Sequence, residues 1–272
     1  MSAVAQRIPR LEHTGRVTQL RVFVSEWTKL RSVRSTKWSL LAAFVFTIGL
    51  PAIAAAVVSH HWPNMGANDR ADFHPLDVSL AGVQLAQLAI GVLGVLFITA
   101  EYSTGMIRAS MTAAPRRLPV LWGKAVVYAA VTFVLMTPAV VIAFFVSQAI
   151  LSSRHIDIAF TAAGVPRAVL GASLYLTVIG LFGLGLGAIV RNTAGGIATF
   201  AGLMFVLPPL MNVLPSSWNH AASPYLPLQA GEALLALQRG DQLAPWTGFG
   251  ILCAYAGAAI AIAAVLLQRR DV

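Results

Sequence analysis

Few residues in this 272-residue chain are placed to do chemistry, and their spacing limits what each can do. The three lysines, Lys29, Lys37 and Lys124, are followed by Leu30, Trp38 and Ala125. A phosphate-cradling loop of the G-x-x-x-x-G-K-[ST] type needs a hydroxyl after its lysine to hold magnesium, so that route to ATP is closed. No H-E-x-x-H occurs, and no nucleophile, base and electrophile converge at one depth, so no catalytic activity is expected of the chain itself. His60, His61 and His74 lie near Asp69 and Asp72. Two histidines and a carboxylate can hold zinc, but no helical spacing fixes these, which favours a solvated loop and no metal site. Cys253, the single cysteine, excludes a disulfide within the chain, and a thiol in an apolar run is usually inert.

The elements around these residues are set by the avoidance of charge. The chain is 57% hydrophobic and 11% charged, against about 25% charged in soluble domains. Six stretches contain no Asp, Glu, Lys or Arg: Trp38–Asn68, Val78–Ala100, Ala125–Ser153, Ala168–Val190, Asn192–Gly231 and Gln242–Gln268. Each exceeds the ~20 residues that cross ~30 Å of hydrocarbon. A charge at mid-membrane costs roughly 3 kcal/mol even on the insertion scale, which accounts for the exclusion. Trimmed of polar and proline-rich ends, the spans are expected at 38–59, 80–100, 124–150, 168–190, 194–214 and 246–267. The expected fold is an all-α integral membrane protein with six transmembrane helices. The domain plan is a tail and interfacial helix over 1–37, a six-span domain over 38–268 and a short tail over 269–272. The long fifth run breaks at Pro208-Pro209 and Pro215 and then turns polar, so one span followed by an irregular or re-entrant segment to Gly231 is expected. The first apolar run starts behind a basic segment and reads as an anchor, not as a cleavable signal.

With six spans, one side of the membrane holds 15 of the 19 basic residues: eight before Trp38, four over 101–124, Arg191 and the two of the tail. Arg70, Arg154, Arg167 and Arg239 fall on the other. Such a bias in short segments places both termini in the cytoplasm and the chain in the cytoplasmic membrane. The net charge of +9 then faces the anionic inner leaflet of the lipid bilayer and needs no nucleic-acid partner.

From Val17 a helix is expected to lie in the interface, with Leu20, Phe23, Val24, Trp27 and Leu30 on one face and Arg21, Ser25 and Lys29 on the other. Arg31 and Arg34 fall on the apolar stripe and would have to snorkel. The 101–123 loop is longer than a connector needs. Ser103 or Thr104 can cap a short helix that Pro115 ends, leaving Met106, Ile107 and Met111 as an apolar knob between charges. Read blandly, the same loop is a solvated link whose Arg116 and Arg117 set topology. In the fourth span Gly183 and Gly187 form a small-xxx-small pair for close helix packing, within the chain or between subunits.

These features together resemble a known family. Glu26-Trp27-Thr28-Lys29-Leu30-Arg31 ahead of the first span, Glu101-Tyr102 with Gly105, Ile107-Arg108 and Pro115-Arg116-Arg117, Gly183-Leu184-Gly185-Leu186-Gly187 running to Arg191-Asn192-Thr193-Ala194-Gly195, and the closing Arg269-Arg270-Asp271 are similar to the actinobacterial-type permeases of type 2 ABC transporters. The resemblance spans residues 25–272. It implies a permease subunit paired with a second copy or a paralogue and driven by a separate cytoplasmic ABC ATPase that carries the ATP and magnesium. It also implies that Met106, Ile107, Arg108, Met111, Arg116 and Arg117, supported by Glu26, Trp27 and Lys29, form the ATPase-coupling surface. Export of a lipophilic or drug-like substrate is expected on that basis. The alternatives are a carrier driven by an ion gradient and a membrane anchor or assembly protein without transport. The His-bearing first outer loop departs from the family pattern.

Overall fold

The computed structural model describes residues 24–25, 27–28, 34–103, 117–213, 215–237 and 242–269. It is all-helical among these residues, and six helices are long and apolar enough to cross a membrane, the organisation of a multi-pass membrane protein. The elements are α1 (Arg34–His61), α2 (Ala67–Ala71), α3 (Pro75–Ser103), α4 (Arg117–Leu151), α5 (Val165–Val190), α6 (Thr193–Ala201), α7 (Leu207–Met211), α8 (Ser216–Ala222), α9 (Pro227–Glu232) and α10 (Pro245–Arg269). The fifth apolar crossing is composite, since α6 continues through Gly202–Val206 into α7.

The crossings α3 and α5 form the centre, packed against each other and flanked by α1, α4, α6 and α10. Their approach is set by glycine. A methyl on Gly183 would strike the Gly91 carbonyl, one on Gly94 would strike the Gly180 carbonyl, and one on Gly187 would meet Ile98 Cγ2 at 2.8 Å. The small-xxx-small pair therefore serves packing within the chain, where missing side chains let two backbones touch and gain dispersion contact. Tyr128 of α4 crosses this seam, and its hydroxyl donates to the Ile90 carbonyl at 2.6 Å.

Observed helix limits differ from the expected spans for physical reasons. The third crossing starts at Arg117 and not near 124, because Lys124 is 2% exposed and pairs inside the bundle. The second starts at Pro75 and not at 80, since Asp77 is accommodated in its first turn, where a carboxylate meets the positive end of the helix dipole. The first helix begins at Arg34, inside the region assigned to the tail.

The chain also does not break at Pro208-Pro209. Gly202–Val206 is a π-helical turn in which the Leu207 N–H donates to the Gly202 carbonyl five residues back. The wider turn lets the helix pass two residues without N–H donors and continue to Met211. In α1, Pro51 has no donor for the Thr47 carbonyl, and α3 approaches there through Gly82, whose added methyl would lie 2.6 Å from that oxygen.

Exposed tryptophans mark both ends of the bundle. Trp38 and Trp122 stand at one end and Trp218 and Trp246 at the other, as expected of side chains seated at the two membrane–water interfaces. Beyond α7 the chain does turn irregular. Helices α8 and α9 are short, and α9 lies back against the bundle with Ala230 and Leu234 wholly buried. Gly231 sits against the Tyr175 ring, and the Ala230 carbonyl abuts Gly248 of α10.

Candidate coupling surface and a buried polar chain

The knob residues Met106, Ile107 and Met111, with Arg108 and Arg116, lie outside the described residues, as do Glu26 and Lys29. Arg117 opens α4. Of the segment expected to lie in the interface, Val24, Ser25, Trp27 and Thr28 are described and helical, the Thr28 hydroxyl donates to the Val24 carbonyl at 2.8 Å, and Trp27 is exposed.

The base of the loop is described and is built unusually. Glu101, two residues before the end of α3, accepts a hydrogen bond from Lys124 of α4 at 2.8 Å, with both side chains nearly excluded from solvent. The Lys124 ammonium also stands 4.5 Å from the centre of the Phe97 ring, over its negative face. Next to this pair, the Arg191 guanidinium lies 5.4 Å from the Tyr102 ring and donates through Nη2 to the Leu266 carbonyl at 3.2 Å. The two strands of chain entering and leaving the loop are thus tied to each other and to the α5–α6 corner. The Thr193 and Thr99 hydroxyls, 2.9 Å apart, add a link from α6 to α3.

At the opposite end, the His-bearing segment folds on itself. Arg70 donates to the Trp62 and Pro63 carbonyls at 2.8 and 3.1 Å, and Trp62 packs edge-on against Phe73. His61 Nδ1 lies 2.9 Å from the Val57 carbonyl. Among the described residues no three of His, Cys, Asp and Glu are gathered to hold a metal ion.

Reading charge alone overlooks a second polar feature. The Tyr175 hydroxyl of α5 donates to Gln87 of α3, the Gln87 amide donates to Gln84 Oε1 at 2.8 Å, and the Gln84 amide donates to Glu232 Oε1 of α9 at 2.6 Å. Every donor points toward the carboxylate, so the chain has one polarity and ends on Glu232. Burial pushes the Glu232 carboxyl above its usual range, and the Gln84 hydrogen bond opposes this in part. The signal in the sequence was Gln84 and Gln87 at i, i+3 in a run free of charge, which puts two amides on one helix face. Glu232 was passed over because it follows the run instead of interrupting it.

Next to α9, a cavity of about 510 Å³ is lined by Pro208, Asn212, Asn219, Ser223 and Gln229 among others. No protein-family model matches the chain, and no curated protein matches it.

Proposed function

We propose that the chain is the membrane-spanning permease subunit of an ATP-binding cassette exporter, both termini cytoplasmic, working with a separate cytoplasmic ATPase and a second permease copy or paralogue. ATP and magnesium belong to that ATPase, and this chain performs no catalysis of its own. The observation that carries the reading is the buried Glu101–Lys124 pair at the mouth of the 104–116 segment. A loop that only joins two spans gains little from a desolvated ion pair, which is often neutral for stability but strongly fixes geometry. A loop that must pass a push from a docked ATPase into the helices does need such a base. The pair transmits displacement to α3, and through its glycine seam to α5. Cargo that is lipophilic or drug-like fits the apolar helices.

The test is a tagged pull-down from native membranes in mild detergent, repeated with Met106, Ile107 and Met111 all changed to Asp. Recovery of a P-loop ATPase with the wild type and its loss with the triple variant is the expected result. A folded wild-type chain that brings down no ATPase overturns the proposal.

One observation favours a second reading. A carrier driven by an ion gradient needs a protonatable group in the bundle, and Glu232 at the end of the polar chain is one. Flux driven by a proton gradient through the purified chain alone would select it.

A further inference from the structure

Two cavities adjoin at the end of the bundle marked by Trp218 and Trp246, and their linings differ in chemistry. The smaller, about 330 Å³, is walled by Arg167, Ala236, Gln242, Leu243 and Trp246 among others. The larger is the 510 Å³ cavity beside α9, whose polar side chains are Asn212, Asn219, His220, Ser223, Gln229 and Gln242. Gln242 and Leu243 belong to both linings, so the two spaces share a wall. The first lining has a guanidinium, the second has amides, a hydroxyl and an imidazole, and neither includes a carboxylate.

Each wall also holds an unsatisfied group. Arg167 donates through Nη2 to the Ala236 carbonyl at 2.7 Å, while its Nη1 is covered and has no acceptor among the described residues. Gln229 Oε1 is likewise covered and has no donor among them. Covered polar groups without partners are costly, charged ones most of all. The two orphans are complementary, since one calls for an acceptor and the other for a donor.

Position adds to the chemistry. Arg167 stands in the first turn of α5 and Trp246 in the first turn of α10, where their spans meet the aqueous interface. The two helices pack against each other. One turn further into the membrane each carries uncovered surface, Leu170 on α5 and the open side of Gly250 on α10.

We propose that the two cavities hold the headgroup of an anionic phospholipid, with its phosphate on Arg167 and a hydroxyl-bearing substituent among Asn212, Asn219 and Gln229. A guanidinium takes phosphate oxygens as a fork, and basic pockets between spans suit such headgroups. Arg167 and Gln229 turn in the cavity wall to meet the ligand, which supplies the acceptor one lacks and the hydroxyl donor the other lacks. The acyl chains descend past Leu170 and Gly250. Other classes fit less well. A cation meets a guanidinium with no carboxylate in either lining. A free phosphate fills the smaller cavity alone and leaves the polar cavity and the apolar strip unused. A choline headgroup has no N–H or hydroxyl to offer the amides. The lipid is a resident of one end of the bundle and not a cargo, so the site stands whether or not the chain works with an ATPase.

The experiment titrates the full chain in an uncharged detergent with phosphatidylglycerol and reads lipid adducts by native mass spectrometry. A saturable adduct, weakened by about tenfold or more in Arg167→Gln, is the expected result. Arg154→Gln is the control for general attraction, because Arg154 lies at the same end of the bundle and already donates to the Ser59 carbonyl. It should bind as the wild type does. Equal affinity in the wild type and Arg167→Gln overturns the site, as does an equal loss in Arg154→Gln. Competition on the wild type covers a variant that does not fold. Phosphatidylcholine should not displace phosphatidylglycerol, and equal competition by the two overturns the proposal. Millimolar inorganic phosphate should not displace it either, and displacement would assign the cavity to a soluble anion and overturn the lipid. Asn212→Ala with Asn219→Ala should weaken phosphatidylglycerol and leave phosphatidic acid, which has no substituent beyond its phosphate, unchanged. Unchanged phosphatidylglycerol affinity in that variant overturns the role of the larger cavity.

Discussion

Lys124 reaches across the entrance of the 104–116 segment to Glu101 at 2.8 Å, and only 2% and 6% of the two side chains remain accessible. Removing one partner takes away the ion pair that offsets the desolvation of the other charge. Lys124→Met or Glu101→Gln alone should lower stability by roughly 3–5 kcal/mol, and the double replacement by markedly less than the sum. Thermal melting of the four proteins in detergent checks this. Additive losses would mean that the two residues act independently.

The contact between α3 and α5 depends on backbone meeting backbone. Gly94→Ala and Gly183→Ala each place a carbon against a carbonyl that has no room to move, and should destabilise by about 1–3 kcal/mol. Gly257, which has no heavy atom within 4 Å of an added Cβ, is the internal control. Gly257→Ala should leave the melting temperature unchanged or raise it, because alanine is the better helix former.

Stability should vary with pH through Glu232. Its folded carboxyl is held above the unfolded value of 4.5, so in the window above 4.5 the folded state binds more protons than the unfolded one. Stability is then highest below 4.5, falls as pH rises through the folded value, and levels off above it. Glu232→Gln should remove this component and leave a flatter melting profile over the same window. An unchanged slope in the variant would assign the dependence to other groups.

Orientation is open to a direct chemical assay. In a Cys253→Ala background, Asp69→Cys in the α1–α3 connection should react with a membrane-impermeant maleimide added to intact cells. Asp271→Cys in the tail should react only after the membrane is opened. The opposite pattern would invert the topology drawn from the distribution of basic residues.

The sequence was most legible where one physical rule dominated. Ionised side chains are kept out of hydrocarbon, so charge-free runs marked all six crossings. The rule failed where a charge was neutralised in place. Lys124 looked like a boundary and is an interior residue of α4, because Glu101, 23 positions earlier, satisfies it. Pro208 and Pro209 looked like a break, yet a π turn carries the helix through them, and that adjustment depends on hydrogen bonding no pattern of residue types displays. The polar chain was hidden for a related reason. Gln84 and Gln87 carry no charge, and their significance depends on Tyr175 and Glu232, which reach them only through folding. The glycine pair in α5 was visible as spacing, but on α3 Gly183 meets Gly91 while Gly187 meets Val95 and Ile98, so the facing helix does not repeat the pattern.

The corner between α5 and α6 has a mechanical consequence. Arg191 adopts a left-handed conformation, φ 58°, with its N–H closing onto the Gly187 carbonyl, and only Asn192 separates it from the next helix. Asn192 caps that helix by accepting from the Gly195 N–H at 2.9 Å. Its neighbours reach α10 through Leu266 and α3 through Thr99. Four helices are thereby riveted at one end, while the far end of the same composite crossing carries the wide turn, two prolines and a cavity. A load applied to any one of these four helices at the Arg191 corner is therefore shared by the other three, so the corner acts as a single joint.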